Sequence, residues 1–323
     1  MARELGGALE TLSNDEHCSD LRLCIKRARN QWCLLSVFLT TVRSFAVIAT
    51  FLLVAQAQAF DAKEIAELTP DVSQAVTNQS EFECGVAPVF PRLRIIVGEI
   101  SRKGKWPWQV ALLNKNGEAV CGGTILAPGW ILTAAHCLRG KLFVLAGEHN
   151  LRRRKPFGEI RVAGKFVHPE HDTETVDNDF ALLKLETPLV YDENIRPACL
   201  PERSLEIGEM GTILGCGKTR EGVANGSDAL REAEVPVAPH NQCRRLYKEY
   251  LISDNMICAG YKKGRIDACV GDSGGPLLAQ DKNTKKWSVY GITSFGEGCG
   301  QRPGVYAEVE RALKWIRTTI ETM

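Results

Sequence analysis

Residues 108–147 read WQVALLNKNGEAVCGGTILAPGWILTAAHCLRGKLFVLAG. Four short apolar runs, WQVALL, GGTILA, WILTAA and LFVLAG, are punctuated by Asn, Gly, Pro and charged residues. Runs of this length between turn residues are the grammar of β-strands. The same pattern returns further on in ALLKL, SVYGITS and GVYAEV. No helical periods of ten to fifteen residues alternate with these runs, so a βαβ organisation is excluded. The end of the chain differs. Val309, Leu313, Ile316 and Ile320 fall at three- and four-residue steps and predict a helix with one apolar face. No internal repeat has a fixed period.

Composition narrows the function. The 323 residues carry 40 Lys+Arg against 39 Asp+Glu, a net charge of +1. That balance excludes a nucleic-acid partner held by bulk charge, while leaving room for a local basic patch. With 44% hydrophobic and 24% charged residues, the chain is globular. Twelve cysteines point to an oxidising compartment or to metal sites. No two cysteines have C-x₂-C spacing, so a structural zinc site is rejected. His168 and His171, in HPEH, read as a surface loop and not as a metal pair.

The first sixty residues are of another kind. An apolar stretch follows the basic cluster Lys26, Arg27 and Arg29, and Arg43 divides it. Its second part ends in AQAQA, where Ala57 and Ala59 form an A-x-A cleavage pattern. Residues 1–59 are therefore a leader carrying a secretory signal. The alternative is a signal anchor that uses the whole stretch, with the N-terminus cytosolic, as in a type II membrane protein. An arginine near the middle of a span costs roughly 2.5–3.5 kcal/mol and favours the cleaved signal. Either way the remainder lies outside the cytosol. Residues 60–94 read as a propeptide or linker, and 95–323 as the main domain. Asn78 and Asn225 head N-x-S sequons.

Three strings carry chemistry. LTAAHC holds His136, DNDFALLKL holds Asp179 before an apolar strand, and GDSGGP holds Ser273 among glycines. A lone histidine, aspartate or serine is ordinarily structural. Glycines around a serine permit close backbone approach. Jointly and in this order, with WPWQV near the start and PGVY near the end, the strings resemble the chymotrypsin family of serine proteases. The likeness covers residues 84–323.

The resemblance implies two antiparallel six-stranded β-barrels with a C-terminal helix, and an active site in the cleft between them. It makes Ser273 the nucleophile, His136 the base and Asp179 the residue that orients the base. The N–H groups of Gly271 and Ser273 would form an oxyanion hole. Asp267, six residues before Ser273, would lie at the base of the primary specificity pocket, walled by Gly296 and Gly304, and would favour Arg or Lys in the substrate. Cleavage after Arg94 would free Ile95, eleven residues before Trp106, to pair with Asp272. That implies a zymogen and an activating trypsin-like protease. Four disulfides are implied: Cys84–Cys199, Cys121–Cys137, Cys243–Cys258 and Cys269–Cys299. No cofactor is implied.

The chain also departs from the family. Cys216, in LGCGKT, stands where the family usually has Trp, and is read as a buried, inert thiol; an interchain bond and a reactive thiol are the other readings. GCGKT lacks the earlier glycine of a nucleotide-binding loop, since Thr212 stands there. Gly211 and Ala279 occupy both ends of a family disulfide. Phe295 replaces a usual Trp beside the cleft. Arg152, Arg153, Arg154 and Lys155 follow a stretch resembling the calcium loop of trypsins, which argues against tight calcium binding. This run reads as a solvated loop or, more sharply, as a site for an anionic partner. VPVAPHNQC and the region before GDSGGP most resemble blood-coagulation proteases. The sequence thus reads as a secreted enzyme of limited proteolysis, with serpin-type inhibitors as possible partners. A digestive trypsin is the alternative, and a non-catalytic binding homologue the remote one.

Overall fold

The computed structural model describes residues 82–89, 98–151, 158–217, 226–261, 272–296 and 301–323. Strand β1 (Glu99–Ile100) is short. The first long hairpin, β2 (Gln109–Leu113) and β3 (Ala119–Ala127), is shaped by turn chemistry. The Asn114 side-chain oxygen accepts the backbone N–H groups of Asn116 at 2.8 Å and Glu118 at 3.1 Å. Gly117 supplies the left-handed backbone that closes the turn, with φ 75°.

Across Pro128 and Gly129 the chain returns as β4 (Trp130–Thr133). Strands β5 (Phe143–Ala146), β6 (Glu159–Val167) and β7 (Ala181–Leu185) follow. Neighbours run β2-β3-β4-β7-β6-β5, and β5 pairs back to β2, so the sheet is a closed six-stranded barrel. Trp108, Leu112, Ile125, Ile131 and Leu182 are fully buried in its core. Closure leaves no open sheet edge on this barrel.

The second half holds β8 (Met210–Gly215), β9 (Arg231–Pro236), β10 (Met256–Ala259), β11 (Pro276–Gln280), β12 (Trp287–Phe295) and β13 (Gly304–Glu308). Their order is β1-β9-β8-β11-β12-β13-β10. The far edge curls back to the near one. Val237 bridges Ala259, Ala238 N–H donates to Cys258 O at 2.8 Å, and Gly260 N–H donates to Pro236 O at 2.9 Å. The all-β class with a C-terminal helix is thus the observed one. β1 joins β9 as an extra strand, too short for any alternation to reveal it in the sequence.

Among the described residues two α-helices accompany the strands. Helix α1 (His240–Leu246) was not foreseen, because it has one buried residue, Cys243, and so no apolar period. Helix α2 (Val309–Thr322) buries Val309, Ala312, Ile316 and Thr319, while Leu313 and Ile320 pack at the margin of the same face. Among the described residues no helix is long and apolar enough to cross a membrane.

Disulfides join Cys84–Cys199, Cys121–Cys137 and Cys243–Cys258. The fourth implied pair, Cys269–Cys299, lies outside the described residues. At the missing family bond, a Cβ on Gly211 would fall 2.5 Å from Leu277 Cδ1. The fully buried Leu277 side chain fills that space instead.

A buried carboxylate ties the start of the domain down. Glu232, on β9 and 6% exposed, accepts from Trp106 Nε1 at 2.5 Å and from Lys105 Nζ. Glu232→Ala would leave the buried Trp106 N–H without a partner. Unfolding in urea should then show a loss of about 1–3 kcal/mol, and Glu232→Gln, which keeps an acceptor, should lose less.

Candidate active site

His136 sits in a 3₁₀ turn, Ala135–Cys137, that begins two residues after β4 ends. Asp179 is fully buried just before β7. Since β4 and β7 are paired in the barrel, with Thr133 opposite Ala181, the two residues emerge at the same end. His136 Nδ1 lies 2.7 Å from Asp179 Oδ2, and the His136 backbone N–H donates to Asp179 Oδ1 at 3.0 Å. From the second sheet, Ser294 Oγ on β12 donates to Asp179 Oδ2 at 2.5 Å.

This third donor went unrecognised in the sequence. Ser294 opens the SFGEG string, but nothing in its spacing marks it as a partner of a residue 115 positions away. Burial pushes the Asp179 carboxyl upward; the hydrogen bond and charge of His136, with the bond from Ser294, outweigh it and hold the group below its ordinary value. An ionised carboxylate only accepts, so His136 Nδ1 carries the proton and Nε2 faces outward as the basic nitrogen. The Cys137 sulfur, 3.7 Å from Nε2, is spent in the bridge to Cys121 and has no proton to donate. The same bridge removes Cys121 and Cys137 as metal ligands, although they cluster with His136.

Ser273 is half-buried in a tight turn in which Gly275 N–H donates to Asp272 O at 2.9 Å. Its carbonyl accepts from Gly122 N–H at 2.7 Å. Gly274 has φ +75°, and a Cβ there would lie 2.3 Å from Thr133 Oγ1 and 3.2 Å from Cys137 Sγ. Only glycine allows this approach. It presses the serine turn of the second sheet against the segment of the first barrel that carries His136. The structure therefore brings His136, Asp179 and Ser273 to one junction between the two halves.

Asp272 has its own cradle. Its Oδ1 accepts from Gly217 N–H at 2.7 Å, and a Cβ on Gly215 would lie 1.7 Å from that oxygen. Gly215 is thus explained by the carboxylate it admits, and Gly217 contributes a backbone N–H to it. A cavity of about 580 Å³ opens beside this turn, lined by Gln109, Glu118, Val120, Cys216, Asp228 and Asp272 among others.

Gly296 follows Phe295 and Gly304 precedes Val305 at the end of the β12–β13 ladder, where Phe295 pairs with Val305. Phe295 stacks on Tyr250 at 5.5 Å and meets Tyr247 edge-on at 6.0 Å. Neither tyrosine stood out in the sequence. The HPEH string is a loop after β6 with Pro169 and Glu170 exposed, but His168 itself is 9% exposed and packs against Phe180 and Trp315. Asp267, Gly271, Arg94, Ile95, Asn78, Asn225 and the Arg152–Lys155 run lie outside the described residues.

Two outcomes follow from the titrating groups. Asp179 ionises more readily in the fold than unfolded, so its contribution to stability is present above the ordinary carboxylate value of about 3.9. It is lost as pH falls through the lower folded value. The difference in unfolding free energy between native protein and Asp179→Asn should be flat above about pH 5 and change below pH 4. For Cys216, burial and then the Asp272 charge push the thiol up to about 12. Native Cys216 should react with a thiol reagent at pH 8 at least about a hundredfold more slowly than in urea.

Similarity to known proteins agrees with this geometry. Residues 95–316 match the family model described as Trypsin. The chain is similar to vitamin K-dependent protein C of Oryctolagus cuniculus, 40% identical over 71% of this chain and 52% of that protein. It is 39% identical to ovochymase of Halocynthia roretzi over 70% of this chain and 15% of that protein. Protein C of Rattus norvegicus is 38% identical, over 70% and 52% respectively. The chain thus matches about half the length of the two protein C relatives and a smaller share of ovochymase.

Proposed function

The chain belongs to the trypsin family, and from that premise we propose that it is a secreted serine endopeptidase that cuts extracellular proteins after Arg or Lys. The supporting observation is the junction itself. A buried, ionised Asp179 holds His136 with Nε2 outward, while Gly274 seats the Ser273 turn against the same segment.

In this reading Ser273 Oγ attacks the carbonyl carbon of the scissile bond as His136 Nε2 takes its proton. His136 then gives that proton to the leaving amine as the C–N bond breaks. Water, activated by the same nitrogen, releases the acyl group from Ser273. Asp179 keeps the imidazole in the required tautomer and stabilises its protonated form. The N–H groups of Gly271 and Ser273 receive the oxyanion, and donors of this kind contribute roughly 10²–10³ in rate. The family resemblance gives Asp267 the role of pairing with the substrate cation. The chemistry needs no cofactor.

We read the protein as a zymogen. Cleavage after Arg94 by another trypsin-like protease would free the Ile95 amine to pair with Asp272. The Gly215–Gly217 cradle supports this, because it already holds the carboxylate inward. Cys84–Cys199 would then keep residues 82–89 on the body of the enzyme. The likeness of residues 235–243 and 255–276 to coagulation proteases favours limited proteolysis over digestion. The Arg152–Lys155 run is proposed as a contact for an anionic partner.

The test uses the full-length chain, cleaved after Arg94 by immobilised trypsin that is then removed. Peptide substrates with Arg or Lys before the cleaved bond should turn over, and Ser273→Ala should abolish turnover. Absence of activity after verified cleavage would return the non-catalytic reading to favour. A preference for Phe would remove the role given to Asp267.

A further inference from the structure

Asp177 lies two residues before Asp179, and its side chain reaches across to the other half of the molecule. Its Oδ1 accepts from Ser253 Oγ at 2.5 Å, and its Oδ2 accepts from Asn255 Nδ2 at 3.1 Å. Both partners belong to the segment that leads into β10. That segment is itself held down, since Asn255 O accepts from Glu308 N–H at 2.9 Å and Met256 N–H reaches Ser253 O.

On its own side, Asp177 closes the loop that carries it. Its carbonyl accepts from Asp172 N–H at 3.1 Å and faces His171 Nδ1 at 3.0 Å. Asn178 Nδ2 approaches Asp177 Oδ2 at 3.4 Å and donates to Glu170 O at 3.2 Å. The flanking backbone is unusual. Val176 has φ 59° and Asn178 φ 50°. Asparagine tolerates the left-handed region, but a β-branched residue adopts it only where the surroundings compel it. Asp177 stands between these two residues and carries the loop's side-chain bonds to Ser253 and Asn255. Beyond them the chain passes at once to Asp179 and β7.

We infer that Asp177 is a positioning residue: it latches the 170–179 loop of the barrel to the 253–255 segment of the second sheet and so fixes where Asp179 holds His136 relative to Ser273. His136 and Asp179 come from the barrel, Ser273 and Ser294 from the second sheet. Their registry needs a strut across the junction, and the Asp177 carboxylate supplies one two residues from the buried acid. The inference deepens the protease reading and rests on it for its kinetic test. Displacement of a catalytic group by about 1 Å costs on the order of 10² in rate.

The experiment compares Asp177→Ala, Asp177→Asn and Ser253→Ala in the full-length, cleaved protein, with native protein and Ser273→Ala alongside. Asp177→Ala should lower kcat by about ten- to a hundredfold with KM for a short Arg peptide changed by less than about threefold. Asp177→Asn, which keeps an acceptor for Ser253, should recover most of the loss. Ser253→Ala should lower kcat by a smaller factor, and the double variant should lose less than the product of the two singles, as groups in one bond must. The downfield proton resonance of His136 Nδ1, read by NMR, should shift or broaden in Asp177→Ala. That signal needs no turnover, so it decides the latch even if native protein proves inactive and the protease reading falls. Should Asp177→Ala not fold, Ser253→Ala carries both measurements. A kcat within about twofold of native, or a lowered kcat with the Nδ1 resonance unmoved, would overturn the inference.

Discussion

The carboxylate of Asp179 is a charge with no exposed surface, and three donors keep it there. A buried charge is costly unless paired and hydrogen-bonded. Two of the donors belong to His136 and one to Ser294, so the two halves of the molecule share one acid. Much of the architecture can be understood as the means of delivering them. The β4–β7 pairing brings His136 and Asp179 to the same barrel end. The β11–β12–β13 ladders place Ser294 opposite, and the glycines after Ser273 let the serine turn close on the Thr133 side.

The junction is assembled from backbone economy more than from large contacts. Gly122, Gly215 and Gly274 each stand where a Cβ would meet a neighbour at 3.0 Å or less. Their partners are a glycine backbone, the Asp272 carboxylate and the Thr133 hydroxyl. Around this polar seam the apolar cores supply the stiffness. Trp108 and Ile131 are fully buried on one side, Leu277 and Tyr306 on the other.

The sequence was legible where chemistry is local. Short apolar runs between turn residues announced the strands, and the 309–320 spacing announced the last helix. His136, Asp179 and Ser273 were found through motifs in which each residue is marked by its immediate neighbours. What escaped was non-local or too short to have a period. Ser294 reaches Asp179 from a distant strand, β1 has two residues, and helix α1 buries one side chain. Tyr250 became a partner of Phe295 only when the chain before β10 folded onto the end of β12. His168 lies in the loop that leaves β6, yet Trp315 of the final helix packs against its ring. For Ser294, Tyr250 and His168 the deciding neighbour lies far along the chain.

Leu277 shows what occupies the space beside Gly211. A Cβ on Gly211 would fall 2.5 Å from the tip of the fully buried Leu277 side chain. Ala279, two residues further along the same strand, is 7% exposed. This seam between β8 and β11 is closed by apolar packing and strand pairing, with no cysteine on either strand. A reducing agent therefore finds nothing to break there, and the hold of one strand on the other depends on excluded water and backbone pairing.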